Sequence, residues 1–302
     1  MRIGRFVGGG GATLEELVGE IREAAEAGLD SAFLSQLTDW DAITVAGIAG
    51  RDVPGIEVGT GIVPTYPRHP VALAGQALTA QVLSGGRFTL GVGPSHPPLI
   101  EDRLGYSYAR PLRHTREYLT ALLPLLNGQE VDYRGETITA VAKVSVPGAA
   151  PPPVLLAALG PKMLRLAGEL AGGTITTWVG AEATGDHIVP AITKAAEEAG
   201  RPAPRIVSSV IIELTGDPDG ARRSLAGELG FASDFPAYRA ILDRQGLDGV
   251  QETIVAGDER AVTAAIRRFA DAGTTDLLVS PRGDAAARAR VIELAGSLRR
   301  GA

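Results

Sequence analysis

Apolar and polar positions along the chain form two recurring patterns, short apolar runs and helical spacing, and the start of the chain shows both. Residues 3–7 form a short apolar run of the kind that a buried strand needs, and four glycines follow it. Thr13 and Glu16 have the spacing of a capping box, and helical apolar spacing then continues as far as Gly28. This pattern predicts one strand followed by one helix.

The same order of strand and helix recurs along the rest of the chain. The predicted strands are residues 3–7, 31–34, 56–63, 88–91, 153–158, 174–179, 206–214 and 277–280. The predicted helices after the first are about 41–50, 70–83, 113–126, 163–171, 187–199, 219–229, 237–244 and 285–298, with an extra helix at about 260–272 before the last strand. Eight β-then-α units therefore account for the chain.

Near-continuous apolar strands, each followed by an amphipathic helix, are what a parallel sheet covered on both faces requires. Eight such units predict a closed (β/α)8 TIM barrel, so that residues 1–302 form a single domain. An open, doubly wound sheet is the alternative, but the glycines at 8–11 match its Gly-x-Gly-x-x-Gly fingerprint poorly. Alternating segments at 131–138 and 140–146 predict a β-hairpin inserted between the fourth helix and the fifth strand.

Composition removes several classes of function. Lys and Arg number 29 against 35 Asp and Glu, a net charge of −6, and no basic run marks a nucleic-acid site. The chain has no cysteine, which excludes thiolate metal sites, iron–sulfur clusters and thiol nucleophiles. Its first residues do not resemble a signal peptide, and no apolar run approaches the ~18 residues of a membrane span. We expect a cytoplasmic protein that binds neither nucleic acid nor membrane.

In a barrel of this kind, function lies on the loops that follow the strands. Gly160-Pro161-Lys162 opens a helix with free backbone N–H groups and a lysine, which favours an anion such as phosphate. The alternative is that Gly-Pro simply begins a helix, as it often does, with Lys162 solvated. His96 follows the fourth strand, where an imidazole either acts as acid, base or donor, or packs within the loop. The residues alone leave both alternatives open.

Motifs for metal or hydrolytic chemistry are missing from the sequence. The four histidines are far apart, no Gly-x-Ser-x-Gly elbow is present, and few carboxylates follow the strands. A paired-carboxylate glycosidase stays an alternative, because barrels of that class show no short motif. The loops are instead rich in Gly, Ser, Thr, Trp and Pro, which suits a bound organic cofactor that supplies the chemistry. No metal site is expected.

Three segments together resemble the bacterial luciferase-like flavin and deazaflavin oxidoreductases. They are 61–74 (GIVPTYPRHPVALA), 84–93 (SGGRFTLGVG) and 160–173 (GPKMLRLAGELAGG), the last being most similar to the methylenetetrahydromethanopterin reductase branch. The resemblance extends over essentially the whole chain, and the three segments in this order are more specific than any one of them. It implies a (β/α)8 barrel that holds coenzyme F420 with its deazaflavin ring in the barrel mouth.

The resemblance also implies roles for individual residues. A bulge in the third strand, with a cis non-prolyl peptide between Gly61 and Ile62, presses on the back of the ring. The end of the fourth strand forms a wall beside the ring, the loop after the fifth strand binds the phosphate tail, and the loop after the sixth strand lies beside it. The implied cofactor-binding residues are Ser35, Gly61, Ile62, Val63, Gly93, Ser95, Leu159, Gly160, Pro161, Lys162, Thr177, Trp178, Val179 and Gly180.

One position departs from the family pattern. Many deazaflavin members carry an Asp-His pair where this chain has Ser35-Gln36. Hydrogen bonding by Gln36 then replaces proton handling at that place, and His96 is the nearer titratable group. We expect Gln36 and His96 to be the catalytic residues of an oxidoreductase that moves a hydride between F420 and a small organic substrate. Hydride transfer needs donor and acceptor held at contact rather than a protein base.

Two other functions stay open at this point. One is an FMN-dependent luciferase-like monooxygenase, which would need oxygen and a reductase partner. The other is a non-catalytic barrel that stores or senses the cofactor. Because members of the family commonly form dimers, the resemblance also predicts a homodimer.

Overall fold

The computed structural model describes residues 1–8, 10–36 and 38–300, and of Arg300 only the backbone. These residues form strands β1 Arg2–Val7, β2 Ser31–Leu34, β3 Glu57–Thr60, β4 Val63–Pro64, β5 Phe88–Gly93, β6 Glu130–Arg134, β7 Thr139–Lys143, β8 Val154–Ala157, β9 Gly173–Thr177, β10 Arg205–Leu214, β11 Val255–Gly257 and β12 Asp276–Pro281. Eight of them pair in parallel in the order β1-β2-β3-β5-β8-β9-β10-β12, and β12 pairs with β1 to close the barrel. The predicted (β/α)8 barrel is confirmed.

Helices surround the barrel and connect its strands. They are α1 Leu14–Glu26, α2 Ala42–Asp52, α3 Pro70–Leu83, α4 Pro111–Leu126, α5 Pro161–Leu170, α6 Ala181–Ala183, α7 Val189–Glu198, α8 Pro218–Leu229, α9 Pro236–Gln245, α10 Glu259–Asp271 and α11 Ala285–Arg300. The capping box predicted for α1 is present, since Thr13 accepts from the backbone of Glu16 and Glu16 accepts from the backbone of Thr13. Local sequence signals therefore set where α1 begins.

Apolar side chains fill the barrel as well as the space between barrel and helices. The interior is occupied by a cluster of buried residues, namely Phe33, Leu155, Ile175, Val207 and Leu278. A larger core lies between the outer face of the strands and the helices. Burial on both faces explains why the strands read as near-continuous apolar runs rather than as alternating ones.

Charged side chains close the barrel at the end where its strands begin. Arg205, at the start of β10, forms ion pairs with Glu57 at 2.9 Å and with Asp276 at 2.6 Å. Arg2 pairs with the same two carboxylates, and the hydroxyl of Thr89 donates to Glu57. Each of these charged residues is the first of its strand, so the network forms a floor beneath the apolar interior.

The inserted hairpin predicted between the fourth helix and the fifth strand is present as β6 and β7, which pair antiparallel. It lies outside the barrel against α3 and α4. The carboxylate of Glu117, on α4, accepts hydrogen bonds from the backbone N–H groups of Glu136, Thr137 and Ile138 and from the Thr137 hydroxyl. Glu117 is 7% exposed, so one buried carboxylate fastens the tip of the hairpin to the barrel.

A second insertion, besides the hairpin, follows the seventh strand of the barrel. Residues 215–254, called the excursion below, separate β10 from β11 and contain α8, α9 and two 3-10 turns at Gly230–Asp234 and Val250–Thr253. The sequence predicts its two helices near 219–229 and 237–244, close to their observed bounds. Its contacts with the barrel mouth have no local sequence pattern and were not predicted.

Most element bounds lie within two residues of those predicted, and three differences have a local structural cause. The predicted strand 56–63 is broken by the Gly61–Ile62 peptide into β3 and β4. The predicted strand 174–179 ends at Thr177 because Trp178 has a left-handed backbone, with φ 61°. The helix predicted to begin at 187 begins as α7 at Val189, after a π-helical turn at Thr184–Ile188.

None of the helices in the described part of the chain is both long enough and apolar enough to cross a membrane.

We expect Glu117→Gln to lower the free energy of unfolding by about 1–3 kcal/mol at neutral pH, because buried N–H groups lose a charged acceptor. Burial alone would raise the pKa of Glu117, but the hydrogen bonds from the hairpin outweigh it and hold that pKa below its usual range. A carboxylate with a lowered folded pKa stabilises the fold above its unfolded pKa, and this stabilisation is lost as pH falls through the folded value. Urea unfolding of both proteins at about pH 7 and about pH 3 should therefore show a difference that shrinks in acid.

Glu136→Gln is the matched control on the same hairpin. Glu136 is exposed and forms ion pairs with Arg110 and Arg113, so its loss should change stability by less than about 1 kcal/mol. Equal destabilisation by the two substitutions would show that burial of the Glu117 carboxylate is not what fastens the hairpin.

Candidate cofactor-binding site

The residues predicted to bind a cofactor follow or interrupt five neighbouring barrel strands. Ser35 and Gln36 follow β2, residues 61–63 lie between β3 and β4, and residues 93–96 end and follow β5. Residues 159–162 follow β8, and residues 177–180 end and follow β9. Because the strands are parallel, all five segments lie at the end of the barrel where the strands terminate.

The third strand of the barrel is interrupted by a cis peptide bond between Gly61 and Ile62, as the resemblance implies. Between β3 and β4, the Thr60 hydroxyl donates to the Gly91 carbonyl at 2.8 Å and accepts from the Gly91 N–H at 2.9 Å. Backbone pairing with β5 resumes beyond the break at Val63. The bulge is therefore held to the neighbouring strand on both sides of the cis bond.

Glycines make room for the Ile62 side chain at the mouth. A Cβ atom at Gly93 would lie 3.2 Å from Ile62 Cδ1 and 2.9 Å from Ala157 Cβ. A Cβ atom at Gly91 would lie 3.2 Å from Ile62 Cγ2 and 2.0 Å from the Thr60 carbonyl oxygen. Ile62 is half-buried and packs against the apolar cluster inside the barrel. The bulge thus presents an aliphatic side chain in a cradle that any larger residue would fill.

Gln36 has an orientation fixed by the helix that follows it. Its Oε1 atom accepts a hydrogen bond from the backbone N–H of Ala42, the first residue of α2, at 3.1 Å. Among the described residues, Nε2 has no hydrogen-bond partner, so this amide group is left to donate. Ser35 is anchored through its backbone, which donates to the Val7 carbonyl at 3.0 Å. Both side chains are half-buried.

His96 lies among aromatic rings from the excursion. Its ring stacks on Phe235, with centroids 4.4 Å apart, and meets Tyr238 edge-on at 4.5 Å. Burial lowers the pKa of His96 to about 4, so the imidazole is uncharged at neutral pH. It can donate or accept a hydrogen bond there, but it does not carry the additional proton of an imidazolium ion that a general acid would transfer.

Two non-glycine residues at the mouth have a left-handed backbone, Ser95 with φ 63° and Trp178 with φ 61°. Such a conformation costs an L-residue about 1–2 kcal/mol and persists where the surroundings enforce it. A side chain holds the carbonyl of each: the Tyr108 hydroxyl donates to Ser95 at 2.7 Å, and Gln245 Nε2 donates to Trp178 at 2.9 Å.

The N-terminus of α5 is open in the way that an anion site requires. Gly160 is the N-cap and offers no side chain, and no heavy atom lies within 4 Å of the place where its Cβ would be. Pro161 and Lys162 form the exposed first turn. His187 Nε2 donates to the Leu159 carbonyl at 2.8 Å and so fixes the backbone just before this turn. The first turn of α5 is thus accessible, and the phosphate site at Gly160–Lys162 stays a prediction.

The loop after β9 lies beside this turn, because β8 and β9 pair directly. Thr177 ends the strand, Trp178 turns the chain, and Val179 is buried. The Gly180 N–H donates to Gln245 Oε1 at 2.7 Å. The Gly180 N–H is therefore already paired with a protein side chain, and its predicted role in cofactor binding stays a prediction.

Several residues that the sequence pattern did not predict hold or cover the loops of the candidate site. Tyr108, His187 and Gln245 each hold a backbone group of a predicted loop from a distant position in the chain, and Phe235 and Tyr238 cover His96. His114 packs in the interior: it is 6% exposed, stacks on Tyr66 at 3.8 Å and is hydrogen bonded to the Thr65 hydroxyl. Only Gln245 had a usable signal, a polar residue near the end of a predicted helix, and that signal is weak.

The described residues hold no group of three His, Asp or Glu side chains placed to bind a metal ion.

Two curated relatives resemble this chain in sequence. A Mycobacterium tuberculosis protein, named provisionally as a coenzyme F420-dependent oxidoreductase, is 33% identical over 188 residues. That match covers 57% of this chain and 54% of the relative, so the chain spans about half of that relative's length. The 5,10-methylenetetrahydromethanopterin reductase of Methanolobus tindarius is 26% identical over 238 residues, covering 78% of this chain and 72% of the reductase.

Solved structures share the fold over the full length. The coenzyme F420 dependent tetrahydromethanopterin reductase of Methanopyrus kandleri has a TM-score of 0.84 at 22% identity, with 100% of this chain and 99% of that one covered. The oxygenating constituent of 3,6-diketocamphane monooxygenase from Pseudomonas putida, in complex with FMN, has a TM-score of 0.75 at 18% identity, with coverages of 97% and 96%. At these identities the similarity establishes the fold alone.

A family model adds the decisive match, because it extends over nearly the whole sequence. The model describes luciferase-like monooxygenases and matches residues 1–296. Together with the barrel and the bulge, this match shows that the chain belongs to the luciferase-like monooxygenase family.

Proposed function

We propose that this protein is an F420-dependent oxidoreductase that transfers a hydride between the deazaflavin cofactor and a small organic substrate. The observation that carries the proposal is the Gly61–Ile62 bulge, with Ile62 seated in a glycine cradle at the same end of the barrel as the open N-terminus of α5. The F420-dependent names of its relatives support the choice of cofactor.

The residues present fit such a cofactor at two places. Gly91 and Gly93 leave Ile62 free to support the back of a flat ring, since a Cβ at either position would crowd it. The first turn of α5 offers backbone N–H groups and the exposed Lys162 to a phosphate, which a helix N-terminus stabilises. When bound, F420 supplies a two-electron hydride carrier, and the protein supplies position and surroundings.

Gln36 and His96 serve as the polar groups beside the reacting atoms. Gln36 keeps its side-chain carbonyl on the α2 backbone, which leaves its amide hydrogens free to polarise a substrate oxygen. His96 is uncharged at neutral pH and held by two aromatic rings, so it orients and excludes water rather than exchanging protons. Neither side chain changes charge between about pH 5.5 and pH 8.

The homodimer and the cytoplasmic location stay predictions. Val82 and Leu83, at the end of α3, are 43% and 40% exposed and would be covered by a subunit contact on that face.

Titration of the purified protein with F420 and with FMN distinguishes the cofactors. We expect F420 to bind and FMN to bind at least tenfold more weakly, both followed by quenching of cofactor fluorescence. Reduced F420 should then be reoxidised without oxygen by some member of a panel of ketones, enones and imines. Tight FMN binding without F420 binding would refute the proposal in favour of a monooxygenase, and F420 binding without turnover of any substrate would favour a non-catalytic barrel.

Gly93→Ala tests the bulge. The added Cβ would lie 3.2 Å from Ile62 Cδ1 and 2.9 Å from Ala157 Cβ, so it should displace Ile62 and weaken F420 binding about tenfold or more, with circular dichroism as the check that the fold is retained. Gly75→Ala is the matched control, since Gly75 is on the outer side of α3 with open space around its Cβ position. Unchanged F420 affinity in Gly93→Ala would remove the bulge from the binding site.

Gln36→His tests the neutral hydrogen-bond donor. The assay uses whichever member of the substrate panel is turned over. With that substrate, kcat/KM of the unsubstituted protein should be flat from about pH 5.5 to about pH 8, because His96 titrates well below that range. Gln36→His introduces a group with a usual pKa of about 6.5 and should add a pH-dependent limb there. Gln36→Met should lower kcat by about tenfold or more while the F420 Kd is maintained. A titrating limb already present in the unsubstituted protein would contradict the assignment.

A further inference from the structure

One side chain of the excursion holds the loop that follows β9. Gln245 is the last residue of α9. Its Oε1 accepts from the Gly180 N–H at 2.7 Å, and its Nε2 donates to the Trp178 carbonyl at 2.9 Å and to the Ile241 carbonyl at 3.0 Å. The Ile241 contact lies within α9 itself, so it fixes the amide relative to its own helix. Gln245 thus fastens both sides of Val179 to the excursion.

The backbone that Gln245 holds is one that a free chain rarely adopts. Trp178 has φ 61°, which costs an L-residue about 1–2 kcal/mol. The Trp178 ring also meets Tyr238 of α9 edge-on, with centroids 6.3 Å apart. The excursion therefore contacts the ring of Trp178, its carbonyl group and the N–H two residues further on, which together determine the left-handed turn.

The turn lies next to the open first turn of α5. β8 and β9 are neighbours in the barrel, and His187, which follows the β9 loop, donates to the Leu159 carbonyl at the end of β8. Thr184, also beyond this loop, donates its hydroxyl to the Gly180 carbonyl at 2.9 Å. The segment assigned to the phosphate tail and the loop beside it are thus joined into one surface, and Gln245 supplies the hydrogen bonds that attach this surface to the excursion.

We propose that Gln245 is a positioning residue for the phosphate-bearing tail of the cofactor. It sets the conformation of 178–180, and its hydrogen bonds reach the loop beside the tail and not His96 beside the ring. The inference rests on the proposed function. It predicts that loss of the Gln245 hydrogen bonds weakens binding of a tailed cofactor while binding of the bare ring system is unchanged. A residue that merely stabilises the fold would weaken both.

Gln245→Met provides the test, since methionine has the same length without the amide. We expect the Kd of F420, followed by quenching of its fluorescence, to rise about tenfold. The Kd of the deazaflavin riboside, which lacks the phosphate and the tail beyond it, should change less than twofold. Gln251→Met is the control from the same excursion, because Gln251 lies beside Gly249 and forms no hydrogen bond to 177–180. Equal weakening of both ligands, or weakening of neither, would overturn the inference.

Failure of the proposed function gives a different result. If the unsubstituted protein binds FMN and not F420, the same comparison is made with FMN and riboflavin, which also differ by a phosphate. A readout without any cofactor comes from Trp178, which is the only tryptophan in a Trp40→Phe protein. There, Gln245→Met should shift the Trp178 emission and Gln251→Met should not. An unshifted spectrum would show that Gln245 does not set this turn.

Discussion

The hydroxyl of Thr60 takes over pairing where the barrel's third strand leaves the sheet. It bonds to both the N–H and the carbonyl of Gly91, so no backbone group of that residue is left unpaired in the buried wall. Without a side chain able to donate and accept at once, the strand could not turn aside at Gly61 and return at Val63. The bulge, the position of Ile62 and the shape of the mouth all depend on this one bridge.

Charge is distributed very unequally between the two ends of the barrel. The floor carries Arg2, Glu57, Arg205 and Asp276 in mutual ion pairs, whereas the aromatic and imidazole rings of Tyr66, His96 and Tyr238 at the mouth are neutral. Burial raises the pKa of Tyr66 and of Tyr238 to about 12 and lowers that of His96 to about 4, so none is ionised at neutral pH. A hydride that moves between two bound molecules needs such a setting, in which water and stray protons are kept away.

Local patterns predict the barrel well because each strand-and-helix unit carries its own start and stop signals in the sequence. The capping box at Thr13 and Glu16 and the helix over Pro70–Leu83 are readable within a few residues. The bulge was predicted only through resemblance, since nothing in Gly61 or Ile62 by itself implies a cis bond. Tyr108, His187 and Gln245 were missed for another reason: each acts on the backbone of a residue 13 to 67 positions away. Such pairings follow from the closed barrel and have no local period.

The floor has a consequence for the order of events at the mouth. Ion pairs connect the starts of the strands, and apolar side chains fill the interior, namely Phe33, Leu155, Ile175, Val207 and Leu278. The barrel is therefore closed at that end, and a ligand enters at the end where the strands terminate. If the proposed function holds, a flat ring seated against Ile62 would lie deeper than the substrate that meets its exposed face. Two ligands that share one opening would then enter in sequence, the deeper one first, and leave in the reverse sequence. Side chains at the opposite end of the barrel from the chemistry would in this way set the kinetic order.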